Sequence, residues 1–126
     1  MKRRLVLVAL VALVAFVGFG LLTSGTARAQ ATNDCMHAPT IDSLEACVEH
    51  AADQGFINNQ GVTSSLLAKL DAAEEALERG HTSQAINELE AFIHEVQAQA
   101  GGHIDSVHAQ HMVMHARMVI QALKNG

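Results

Sequence analysis

The chain has 126 residues, 8 basic and 13 acidic side chains, and a net charge of −5 with histidine neutral. That excess of acid excludes the electrostatic footprint of a nucleic-acid binder or of a protein held on anionic membranes. There is no Trp and no Tyr, so the exposed aromatic platforms with which most carbohydrate-binding modules hold sugars are missing as well.

Met1-Lys2-Arg3-Arg4 is a positive start, Leu5 to Leu22 is apolar, and Ala27-Arg28-Ala29 is a small-x-small processing site. This is the three-part form of a secretory signal peptide over 1–29, with Gln30 as the first mature residue. An uncleaved anchor is the rival reading, because the apolar run approaches the shortest length that spans a bilayer. Gly18 and Gly20 weaken its helix and the processing site follows directly, which favours cleavage. No Leu-x-x-Cys box precedes Cys35, which argues against a lipid anchor. Cleavage removes Lys2, Arg3, Arg4 and Arg28, leaving 4 basic against 13 acidic residues, a net charge of −9. No second long apolar run follows, so the mature protein is expected to be secreted and soluble, without membrane contact.

Residues 30–39 have no period and read as an extended lead-in, expected to carry a disulfide from Cys35 to Cys47. An even cysteine count in an exported chain usually pairs. Closing a loop of about a dozen residues would contribute roughly 3 kcal/mol through chain entropy. The alternative is a thiol site, since His50 lies one helical turn from Cys47 and would activate it.

Four helices are expected over 40–124. Thr40 caps the first, Ile41 to Gln54, whose stripe is Ile41, Leu44, Cys47, Val48 and Ala51, and Gly55 supplies a left-handed stop. Asn58-Asn59-Gln60-Gly61 reads as a turn. The second helix, Gly61 to Arg79, carries Val62, Leu66, Leu70, Ala73 and Leu77 on one face. Lys69, Asp71, Glu74, Glu75 and Glu78 form its solvated side.

Gly80 ends the second helix and Thr82 is placed to cap the third, a connection so short that the two must form an antiparallel hairpin. The third helix buries Ala85, Ile86, Leu89, Phe92, Ile93, Val96 and Ala100, and stops at Gly101-Gly102. Asp105 caps the fourth, Ser106 to Leu123, with Ile104 as a staple and a core stripe of Met112, Ala116, Val119 and Leu123. The fold class is therefore all-α, a four-helix up-down bundle after a cleaved signal peptide.

Several segments resemble the FIMAH domain, a small helical module of exported bacterial proteins. They are Leu66-Leu67-x-Lys69-Leu70, Ala76-Leu77-x-x-Gly80 and Ala85-Ile86-x-x-Leu89-x-Ala91-Phe92-Ile93. The likeness continues through Val96-x-Ala98-Gln99-x-Gly101 and Val119-Ile120-x-x-Leu123. It runs from near Gly55 to Leu123. The family often stands at the C-terminal end of extracellular hydrolases, whereas here the expectation is a signal peptide and the module alone. The resemblance implies a helical fold and brings no catalytic residue with it.

One constellation is worth weighing for chemistry. His108, His111 and His115 stand at i, i+3 and i+7 on the fourth helix, about 65° from the centre of its core stripe, and are expected to line its edge half exposed. A histidine pair one turn apart commonly chelates zinc, nickel or copper, with Asp105 or His103 to add a ligand. Met114 and Met118 bring copper(I) into consideration. All three rings span about 10 Å along the axis, too far for one ion, so no tightly held metal and no cofactor is expected. His50, His81 and His94 read as solvated.

No Gly-x-Ser-x-Gly, P-loop or Gly-x-Gly-x-x-Gly segment occurs, and the serines sit where serine caps helices, so no enzyme is expected. The leading functional expectation is a secreted, non-catalytic binding or spacer module for an unidentified protein or cell-surface component. The alternative is an extracytoplasmic metal-binding protein using His108, His111 and His115.

Overall fold

The computed structural model describes residues 38–126. The expected signal peptide over 1–29, most of the lead-in and Cys35 lie outside the described residues. Four helices follow in order: α1 Ile41–Asp53, α2 Gln60–Glu78, α3 Thr82–Gln99 and α4 Ser106–Asn125. Each helix packs closely on its neighbours in the cyclic order α1, α2, α3, α4, α1, whereas the backbones of the diagonal pairs α1/α3 and α2/α4 stay further apart. This is the square up-down bundle implied by the short connections.

The helix ends are set by local chemistry. Thr40 Oγ1 accepts from the backbone N–H of Ser43, and Asn59 Oδ1 accepts from that of Val62. The stretch 58–61 is therefore partly a cap, with α2 beginning at Gln60. α1 and α2 end alike, with a left-handed glycine at Gly55 (φ 78°) and Gly80 (φ 76°). The amide of Phe56 donates to Ala51 O and that of His81 to Ala76 O, each at 2.8 Å, closing the six-to-one ring of a Schellman stop. The third start differs from the sequence expectation. His81, not Thr82, holds the cap position of α3, and no side chain satisfies the first amides there. Gly80 bends the chain so tightly that Thr82 is already helical.

The core is made of the expected stripes. Leu44, Val48, Leu66, Leu70, Ala73, Leu89, Phe92, Val96 and Ala116 are fully buried. Ala76 fills the last core place on α2, with Leu77 partly buried beside it. Ala100 is exposed, because α3 ends before it. Cys47 is buried on α1. Across α2 and α3, Ser65 Oγ donates to Glu95 Oε2 at 2.9 Å, and Lys69 pairs with the same carboxylate. Lys69 is therefore not part of a free solvated face.

At one end of the bundle the α1–α2 and α3–α4 connections pair. Ile57 and Ile104 form an antiparallel bridge and both are buried. The amide of Asn58 donates to His103 O at 3.0 Å, and that of Asp105 to Phe56 O at 2.8 Å. These bonds fix the start of α4 against the loop that carries Phe56. Among the described residues, no helix is long and apolar enough to cross a membrane.

Candidate functional site

The three histidines singled out on α4 have three different environments. His108 is partly buried and His111 is exposed. His115 corrects the expectation that it lines the edge half exposed: none of its surface is accessible. Its Nε2 lies 2.7 Å from Ala38 O. A carbonyl only accepts, so Nε2 carries a proton, and Nδ1 is buried without a partner.

The reason is the width of the buried arc. Ala109, Met112, Val113, His115, Ala116, Val119 and Ile120 are all buried and cover about 160° of the helix at 100° per residue. α3 covers the flank holding Val113 and Ile120. α1 and the residue that leads into it cover the opposite flank, where His115 lies.

His108 is held from two sides. Its ring stacks on Phe56 with centroids 3.6 Å apart and planes 15° apart. Its Nδ1 lies 2.8 Å from Asp105 Oδ1. The same oxygen accepts the amides of Val107 and His108, each at 3.1 Å, in its role as helix cap. The side-chain bond from His108, then the backbone bonds, hold the Asp105 carboxyl below the usual aspartate range. His111 stands one turn further on, its centroid 6.3 Å from that of His108 in an edge-on arrangement. Nearby, His103 Nδ1 lies 2.9 Å from Asn58 Oδ1.

A second cluster lies on the α1/α2 seam, and sequence reading missed it. Asp42, Glu45 and Glu74 bring one carboxylate oxygen each within 4.8 Å of one another, the one such group of three potential ligands among the described residues. Burial first, then the charges of Asp71, Glu74 and Asp42, push the Glu45 carboxyl up. Glu74 is also pushed up, chiefly by Asp42. Glu45 Oε1 is buried without a hydrogen-bond partner. No signal in the sequence joins Asp42 to Glu74, since their proximity depends on how α1 is rotated against α2.

The third feature is the outer face of α4. Val107, Met114 and Met118 are exposed by 56%, 48% and 37%, three of the four exposed large apolar side chains among the described residues. Beside them, two open depressions of about 430 and 460 Å³ run along the α3/α4 seam and meet at Arg117. Arg117 and Lys124 line them, and of the four cations among the described residues these two have no acidic partner.

Taken together, the described residues form a small all-helical module built on a largely aliphatic core, with clusters of interacting polar groups at one end and along two seams. The family model of the FIMAH domain matches residues 41–121. The chain therefore belongs to the FIMAH domain family, whose modules are of a non-catalytic kind and occur in exported bacterial proteins. No curated protein matches it, and no solved structure does.

Proposed function

We propose that this chain is a secreted, non-catalytic module that binds a protein or a cell-surface component, or acts as a spacer within such an assembly. The observation that carries this reading is the outer face of α4. An acidic bundle of this size leaves Val107, Met114 and Met118 in solvent beside its two unpaired cations, Arg117 and Lys124. Met114 and Met118 stand one turn apart on either side of Arg117, and Met and Arg are residue types enriched at protein contact surfaces. Apart from His115 and Cys47 the described core supplies only packing, and the polar clusters described above lack a nucleophile held by a base, which supports a non-catalytic role.

Export belongs to the same reading. N-terminal sequencing of the native protein should begin near Gln30, and an uncut chain recovered from membranes would count against it. The contact face is tested by immobilising the mature protein and capturing binders from native culture medium and envelope fractions. The wild type should retain a discrete partner that a folded Met114→Glu, Met118→Glu double variant loses. Equal capture by both proteins, or none by either, would refute the assignment of this face.

A further inference from the structure

The end of the bundle at Asp105 is arranged around one open imidazole nitrogen. Asp105 Oδ1 lies 2.8 Å from His108 Nδ1, and an ionised carboxylate only accepts, so Nδ1 carries the proton. The lone pair of neutral His108 is therefore at Nε2. The stack on Phe56 holds the ring plane as well. This is how metal-binding histidines are supported: one nitrogen donates to a carboxylate, and the other, fixed in tautomer and direction, is left for the ion.

His111 supplies the second nitrogen. It is exposed, and no hydrogen bond or ion pair restrains its ring. Nitrogen binds such ions at about 2.0–2.1 Å, which puts a ring centroid about 3.2 Å from the ion. Two rings on one ion therefore stand about 5 Å apart at the tetrahedral angle, and about 6.4 Å apart at most. The observed 6.3 Å is inside that limit, and rotation of the unrestrained His111 ring brings it closer.

We propose that His108 and His111 form a two-histidine chelate for a divalent transition ion of the zinc, nickel or copper type, with Asp105 as the positioning residue. Imidazole selects these ions over calcium and magnesium, which take oxygen ligands. Water completes the coordination, so binding is reversible and exchangeable. His115 takes no part, because its ring is enclosed in the bundle and bonded to Ala38. His111 stands between Val107 and Met114 on the same exposed face of α4, but the chelate rests on the two histidines and Asp105 alone, so the dialysis and capture experiments can fail separately.

The test is equilibrium dialysis of the whole secreted protein against Zn²⁺, Ni²⁺ or Cu²⁺ at neutral pH, followed by elemental analysis. One ion per chain is expected, with affinity falling at least tenfold in His108→Ala and in His111→Ala. Asp105→Asn keeps a good helix cap and should weaken binding by about 10- to 100-fold with unchanged circular dichroism, the usual effect of losing a ligand's support. His94→Ala, an exposed histidine on α3, should bind as the wild type does. His111 is exposed, so its loss does not endanger folding. Absence of a stoichiometric ion, full binding by His111→Ala, or loss of binding only in Glu45→Gln would overturn the proposal. The last result would move the ion to the α1/α2 carboxylates.

Discussion

Replacing His115 and His111 separately by alanine distinguishes two positions one helical turn apart on α4. His115 has no accessible surface, while His111 is exposed. Removing a large, fully buried side chain costs about 2–5 kcal/mol through lost contacts and the cavity left behind. The bond from Nε2 to Ala38 O adds about 0.5–1.5 kcal/mol. Against this, Nδ1 is buried without a partner, a desolvation cost of about 1–3 kcal/mol that the wild type already bears and the variant escapes. His115→Ala should therefore destabilise the protein by roughly 2–4 kcal/mol, a large share of the stability of a domain this small.

The companion His115→Leu separates these contributions. It nearly conserves volume and removes both the bond and the orphaned nitrogen, so its cost should stay within about 1.5 kcal/mol. His111→Ala should cost about 1 kcal/mol or less. Urea denaturation at pH 7, followed by far-ultraviolet circular dichroism, measures all three. Equal midpoints for His115→Ala and His111→Ala would refute the burial of His115, and with it the packing of α1 over that flank of α4.

Phe92 is the largest fully buried side chain among the described residues, and Phe92→Ala should cost about 3–5 kcal/mol. Glu75→Ala breaks only the exposed pair with Arg79, worth about 0.5 kcal/mol; urea melts that rank these two the other way would show the helix faces to be misassigned. The carboxylates predict a stability maximum in mild acid. Glu45 and Glu74 are pushed up, so what they contribute is complete below the ordinary glutamate value and lost as pH rises through their raised values. Asp105 is held low, so its contribution is present above the ordinary aspartate value and lost as pH falls. The melting temperature should thus rise as pH falls from neutral toward the ordinary glutamate value, and fall again below the ordinary aspartate value. Glu45→Gln should raise it at pH 7 and flatten the upper part of that profile; no gain at pH 7 would refute the crowding on the α1/α2 seam. Alkylation of the unreduced secreted protein should label neither Cys35 nor Cys47, and labelling of both would remove the expected disulfide.

The helical period placed most core residues correctly because a stripe is a property of one helix. Ile41, Leu44 and Val48 on α1, or Leu89, Phe92 and Val96 on α3, are buried whichever neighbour covers them. Caps read from the sequence hold where one side chain and one amide decide the matter, as at Thr40 and Asp105. Thr82 shows the limit. Its cap depended on how tightly Gly80 turns the chain, and the Schellman bond from the His81 amide moves the helix start by one residue.

What the sequence left hidden is what depends on two helices at once. A position about 65° off a stripe is half exposed on an isolated amphipathic helix, but in a square bundle each helix has two neighbours and the covered arc widens. His115 falls inside it. The same cooperation places Phe56 on His108 from a different connection, and gathers Asp42, Glu45 and Glu74 across a seam. Each of these groupings joins residues that are distant in the chain, and each changes the chemistry of its members: a tautomer chosen, a carboxyl raised, a nitrogen left without a partner. In this bundle the aliphatic period specifies the fold, whereas the reactive character of its polar groups arises from the rotation of one helix against the next.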